Sequence, residues 1–331
     1  MTKYFPFYFI AFLLSYLIMT SGLHGDDYAV INSFNGYSFW NFIGQTPDEV
    51  SSLILNPVSF YGLWWAYPLL GNEYQMIYDL IKILSSVISV YLIFRFFSDY
   101  MSYDRAIIAS FIFVLYPLHD TTLYWYMTLQ YILAPAILLY AHHLIRNNKI
   151  RKGFLVTMVG SFLSYASPPY LFGLTVIFLY EKKLKKAIVF VTPGILYVAY
   201  YFWMKFNYAG LERRINSDLS ILDFLKQMLI QPLSFLESAV GPSYWLKVFY
   251  AIESIGFISI IIIAMILIFS FIRVKSFSTV CKLPKSLYIG LISVLLLSFG
   301  MFALTGLYSH SAFNLGNRTT VYGSLFIAFL L

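Results

Sequence analysis

Residues 24–28 read His-Gly-Asp-Asp-Tyr, and they set two adjacent carboxylates directly after the uncharged apolar run 4–20. A carboxylate at such a place can take the proton of an attacking hydroxyl as general base. Other polar side chains stand at the ends of apolar segments further on: His119 and Asp120, Tyr170, His310, Asn317 and Arg318. Arg318 opens the last apolar stretch. There a guanidinium can grip a phosphate bidentately, and a helix start adds backbone donors for an anion. It also has two purely structural uses, snorkelling to the membrane surface and pairing with an acid. Asp26 or Asp27 as base, Arg318 with Asn317 and His310 around a departing phosphate, and Tyr28 and Tyr170 as faces for a sugar ring make one consistent chemistry. His24, His119 and Asp120 complete the set of candidate substrate contacts. That chemistry is transfer of a sugar from a lipid-linked phosphate.

The elements that must position these groups are bounded by composition. The chain has 331 residues, of which 60% are hydrophobic and 11% charged. Its mean hydropathy is +0.74. Soluble domains carry about 25% charged residues, so this is an integral membrane chain. The net charge of +7 lies in a few blocks and gives no nucleic-acid footprint. Cys281 is the single cysteine, which excludes an intrachain disulfide and a cysteine metal cluster. The histidines show no metal-protease spacing.

About 20 apolar residues cross a bilayer as a helix. Candidate spans are 4–21, 76–97, 122–144, 187–204, 247–272 and 286–308, with the shorter 106–118 and the final 318–331. The first reads as a retained helix rather than a cleaved leader, because large aromatics fill it. Region 153–180 holds "YASPPY", whose Pro168 and Pro169 break one straight helix into two. Lys and Arg favour cytoplasmic loops, and three basic blocks occupy 146–152, 181–186 and 273–285. The first two share a side only if 153–180 leaves and returns. The expectation is therefore an all-α, single-domain bundle of 9–10 spans over 1–331, with a cytoplasmic N-terminus and "HGDDY" on the outer face.

The outer face then receives an interfacial segment at 28–75 and a loop at 205–246. Trp40, Trp64, Trp65 and Tyr67 are expected at headgroup depth. "TPDEVSSLI" reads as a helix start in which Thr46 and Glu49 form a capping box, giving Asp48 and Glu49 a structural reason. Leu219, Leu222, Leu225 and Leu229 recur at helical spacing, as in a helix lying on the membrane. Arg213 and Arg214, in the same loop, fit lipid phosphate, substrate phosphate or an outer acid.

"LHGDDYAV" after a first apolar helix resembles the GT-C superfamily of membrane glycosyltransferases, which carries an acidic pair in the first outer loop followed by interfacial helices. "LGNRTTVYGSLFIAFLL" is similar to the arginine-bearing helix start of bacterial members, including the GtrII-like glucosyltransferases that decorate O-antigen. The resemblance covers the layout and these two motifs. It implies a polyprenyl-phosphate sugar donor, a glycan or lipid-linked acceptor, and an outer-face site in a bacterial inner membrane. It places the base on Asp26 or Asp27, with Asp27 preferred beside Tyr28. Asp26, Asp27, Asp120 and His119 are donors suited to Mg²⁺ or Mn²⁺, yet a polyprenyl-monophosphate donor needs no metal, so no cofactor is expected. A lipid-linked sugar transporter or flippase, a polysaccharide polymerase or ligase, and a membrane protein without chemistry are the competing readings.

Overall fold

The computed structural model describes residues 5–208, 219–274, 283–305, 310–313 and 318–330, and its regular elements are all helical. The first apolar run forms α1 (Phe5–Ile18). The aromatic stretch that follows is cut into short pieces: α2 (Asp26–Ser33), α3 (Phe39–Ile43), α4 (Ser52–Leu55), α5 (Pro57–Ser59), a wide helical turn at Phe60–Trp64, and α6 (Ala66–Leu70). The bundle continues with α7 (Gln75–Phe97), α8 (Tyr103–Val114), α9 (Asp120–Tyr124), α10 (Gln130–Arg146), α11 (Ile150–Leu163), α12 (Pro168–Tyr180) and α13 (Leu184–Asn207). It ends with α14 (Ile221–Val240), α15 (Pro242–Glu253), α16 (Phe257–Val274), α17 (Lys285–Thr305) and α18 (Val321–Leu330).

Among the described residues, α7, α13 and α17 are each long and apolar enough to cross a membrane. A fourth crossing arises only if the helices flanking 254–256, bent by 120°, count as one span. The straight span expected over 247–272 is thus corrected. The Ser254 and Ile255 N–H groups turn back onto the Tyr250 and Ile252 carbonyls and close α15 before α16 begins. The span expected at 122–144 is also divided, with α10 starting at Gln130 after an extended Trp125. Arg213 and Arg214 lie outside the described residues.

Expectations for segments 28–75 and 205–246 are partly met. Thr46 N–H and its hydroxyl both reach Glu49 Oε2, at 2.8 and 3.1 Å. This closes a turn, however, and the helix begins only at Ser52. Trp40 is exposed, whereas Trp64 and Tyr67 are buried in a cluster with Phe34, Phe42 and Phe60. In α14, Leu222, Leu225 and Leu229 form an exposed apolar face, while Phe235 and Ala239 turn inward.

Ion pairing fixes which ends of the helices coincide. Arg146 Nη1 donates to both Glu181 carboxylate oxygens, at 2.8 and 2.9 Å, and Lys186 Nζ donates to the Arg146 carbonyl at 2.7 Å. Ser286, in the first turn of α17, donates to the same Glu181 at 3.1 Å. Blocks 146–152 and 181–186 therefore share one end of the bundle, and the chain between them leaves and returns. Its break lies at 164–167, and Pro168 and Pro169 occupy the first turn of α12, where a missing N–H is tolerated.

The helices meet most closely where α12 crosses α17. A Cβ added at Gly173 would stand 2.5 Å from the Val294 backbone nitrogen. Gly173→Val is expected to destabilise the protein by about 3 kcal/mol, at the upper end of overpacking costs because the obstacle is backbone. An unchanged thermal midpoint in detergent would show that the two helices do not touch there.

Candidate functional site

Two helix ends and one strap build the site. After α1 the chain turns through left-handed conformations at Thr20 (φ 72°), Gly22 (φ 65°) and Gly25 (φ 49°). The strap 20–27 lies against the N-terminal part of α7, where Asp79 and Lys82 are both buried. Asp79 accepts the Thr20 N–H at 2.9 Å, the Gly22 N–H at 3.0 Å and the Ser21 hydroxyl at 3.1 Å. Lys82 Nζ is 2.8 Å from Asp79 Oδ1. It donates to the Gly22 carbonyl at 2.6 Å, Ser21 Oγ at 2.7 Å and the Tyr124 carbonyl at 2.9 Å. The last of these is a helix-terminal carbonyl of α9, so the pair joins α1, α7 and α9 at one point.

Asp27 performs the complementary task. It sits fully buried in the first turn of α2, where the helix dipole favours a negative charge. Its Oδ2 accepts the His24 N–H at 3.0 Å. Its Oδ1 accepts the Tyr67 hydroxyl at 2.6 Å and the Met127 N–H at 3.0 Å. Burial first, then the Asp27 charge, push the Tyr67 hydroxyl well above its ordinary range, so it remains a donor. The Met127 N–H is one that the break between α9 and α10 leaves without a helical partner. A side chain at Gly25 would strike the Trp125 ring, 2.6 Å from its Cβ. Asp26 and Tyr28 lie on the exposed face of α2. The two aspartates thus divide: Asp27 anchors, and Asp26 faces outward.

The remaining candidates fall into two groups. Arg318, half-buried, places its guanidinium carbon 5.5 Å from the centre of the Tyr131 ring. The Tyr131 hydroxyl is hydrogen-bonded to that of Tyr165, in the break between α11 and α12. Asp27 on Met127 and Arg318 over Tyr131 therefore bracket the entry to α10. Asn317 lies outside the described residues. The second group fastens α18 and the segment before it. Tyr170 donates to the Val321 carbonyl at 2.9 Å and stacks on Tyr322. His119 Nε2 pairs with Ser324 Oγ at 2.7 Å. His310 Nδ1 pairs with Thr319 Oγ1 at 3.0 Å inside a cage of Phe235, Phe299 and Phe302. Burial drives both His119 and His310 down to about 3, which keeps the rings neutral. Asp120 pairs with Lys247 at 2.8 Å, beside an apolar groove of about 610 Å³ between α1, α15 and α16.

Among the described residues no three His, Cys, Asp or Glu side chains gather as metal ligands would. Sequence reasoning missed Asp79, Lys82 and Tyr67. The first two had a visible signal, an acid and a base three residues apart inside an otherwise apolar helix. Tyr67 had none, being one tyrosine among 29.

Lys82→Met would leave the Asp79 carboxylate buried without its cation. A loss of about 3–5 kcal/mol is expected. A thermal midpoint equal to wild type would show that the pair does not hold the strap. The two buried histidines give a pH dependence. Above about 6.5 they are neutral in both folded and unfolded chains, and pH has no effect through them. Below that value the unfolded chain takes up protons that the folded one refuses. Stability then falls by about 1.4 kcal/mol per pH unit for each histidine until the folded rings titrate. Melting His119→Gln/His310→Gln beside wild type at pH 7, 6 and 5 checks this, since the double variant should show the smaller decline.

Comparison of the chain with protein-family models, with curated proteins and with solved structures yields no match.

Proposed function

We propose that this chain is a polytopic membrane glycosyltransferase of GT-C type. It moves a sugar from a polyprenyl-phosphate donor to a surface glycan or lipid-linked acceptor. The observation that carries the reading is the divided aspartate pair: Asp27 is bound by three donors, and the exposed Asp26 is thereby held in the first turn of α2. Asp26 is the base in this proposal. Asp27, fully enclosed, is the positioning residue.

In the reaction Asp26 takes the proton of the acceptor hydroxyl. The acceptor oxygen forms a bond to the anomeric carbon as the bond from that carbon to the phosphate oxygen breaks. The electron pair leaves on the phosphate, whose charge Arg318 and the N–H groups opening the last helix offset. His24 stands on the strap beside the base, Tyr28 offers a ring face to a sugar, and Asn317 precedes Arg318 in the sequence as a further candidate for the phosphate. His119, Tyr170 and His310 act by fastening the C-terminal helix, and Asp120 by its pairing with Lys247. A monophosphate donor needs no metal in this scheme. In the proposed topology α1, α8, α10, α11, α12, α16 and α18 join the three long helices as ten spans of a bacterial inner membrane. The coincidence of two basic blocks at one end of the bundle supports a cytoplasmic assignment for that end and an outer one for Asp26.

The test is mass analysis of surface polysaccharide from cells carrying Asp26→Asn, Asp27→Asn or Arg318→Ala, with protein levels measured in parallel. Asp26→Asn should remove the transferred sugar at normal protein level, by about 10²–10⁴ in rate. Asp27→Asn should lower both stability and transfer. Normal glycan from Asp26→Asn overturns the assignment. The broken "YASPPY" helix is the feature that favours a lipid-linked sugar transporter instead. A transporter would keep its function after the Asp26 change and lose it after changes at Pro168 and Pro169.

A further inference from the structure

At the end of the bundle away from the strap, a pocket of about 430 Å³ opens beside α1, α7 and the turn into α8. Rings of Phe7, Tyr91, Phe94 and Tyr103 wall it, and its ionisable groups are Arg95 and His143. Among the described residues no carboxylate lines it. The polar wall is built from behind. Arg95 Nη2 lies 3.1 Å from His143 Nε2, and His143 Nδ1 lies 2.9 Å from Asp99 Oδ2. A guanidinium only donates, so Nε2 must accept and the imidazole proton must sit on Nδ1, directed at Asp99. Asp99 also accepts from Asn147 Nδ2 at 3.1 Å. Its charge is thus engaged outside the pocket. Arg95 Nη1 donates to the Tyr91 hydroxyl at 3.2 Å. Two fastenings set the plane of the guanidinium, and its remaining N–H donors are free of any role in the chain Asp99–His143–Arg95.

A fixed guanidinium with unspent donors, aromatic walls and no acid inside the cavity matches one ligand chemistry. We propose that this pocket is a binding site for a phosphate ester, with Arg95 holding the phosphate and the apolar remainder against the rings. His143 and Asp99 are positioning residues for Arg95. The basic blocks at the same end of the bundle raise the local concentration of anions. The phosphate can come from a lipid headgroup or from a soluble ester, and neither is the donor of the proposed transfer, whose base lies at the other end of α7.

The experiment uses the full chain in nanodiscs. One arm incorporates phosphatidylglycerol into phosphatidylcholine discs and reads retained lipid by native mass spectrometry. The other titrates phenyl phosphate into pure phosphatidylcholine discs and reads the thermal midpoint. Binding in the first arm alone identifies a lipid headgroup, and in the second a soluble ester. Arg95→Gln should weaken whichever is bound by about tenfold. Ser98→Trp, at an exposed position on the pocket wall, should block entry while leaving the Asp99–His143–Arg95 chain intact, and it decides the matter if Arg95→Gln fails to fold. No binding in either arm, or equal binding by wild type and the variants that fold, overturns the proposal.

Discussion

A buried lysine and aspartate, one helical turn apart on α7, hold together the end of the bundle where the candidate site lies. Taking both charges out of water costs several kcal/mol per ion before any return. The return here comes from backbone groups that helix ends would otherwise leave bare. Asp79 takes two N–H groups from the strap, and Lys82 takes one carbonyl from the strap and one from the end of α9. In an apolar surrounding an unpaired backbone group is itself costly, so each contact removes a penalty as well as adding a bond. A pair of opposite sign can serve N–H and carbonyl groups at once. Two acids or two bases at these positions could not.

Asp27 extends the same logic to the other side of the break. The interruption at 125–129 frees a carbonyl at Tyr124 and an amide at Met127. Lys82 binds the first and Asp27 the second. The break is therefore held from two elements that are distant in sequence, and it could not slide along the chain without losing both. Neighbouring residues on a helix point about 100° apart, so anchoring Asp27 inward directs Asp26 outward. Adjacent acids are then not redundant. One fixes the frame in which the other is presented.

The bundle was legible in the sequence where apolar runs were long, as at 76–97 and 286–308. The return of the chain through 153–180 was legible too, from two prolines and from the need to keep basic blocks together. The bend at 254–256 had a signal that the hydropathy of the whole stretch masked, since Glu253, Ser254 and Gly256 interrupt the apolar run there. The break at 125–129 was hidden. Trp125, Tyr126 and Met127 are as apolar as the residues of α10 that succeed them, and only the distant carboxylate that rewards the freed amide explains the interruption. At the site, types and positions of residues were readable, but burial was not. His119, His310 and Tyr170 are ordinary polar candidates in one dimension. In three dimensions their hydrogen bonds end on α18 or the turn that leads into it, which makes them fasteners.

The contacts of segment 28–75 show why tyrosine is abundant in such a chain. The segment 28–75 is cut into short helical pieces, so the carbonyls at their ends need donors from elsewhere. Tyr197 and Tyr200 of α13 donate to Leu55 and Leu53, and Tyr78 of α7 donates to Ala66 and Gly71. Tyr126 does the same for Leu63. Each ring buries apolar area while its hydroxyl closes a backbone vacancy, a combination that phenylalanine lacks and serine is too short to reach. Tyr78 and Tyr126 also flank Tyr67, whose hydroxyl serves Asp27. The aromatic segment is thus more than a surface float. It is the second wall of the cavity in which Asp27 is locked, so the orientation of Asp26 depends on packing at 60–78 as much as on the strap that carries it.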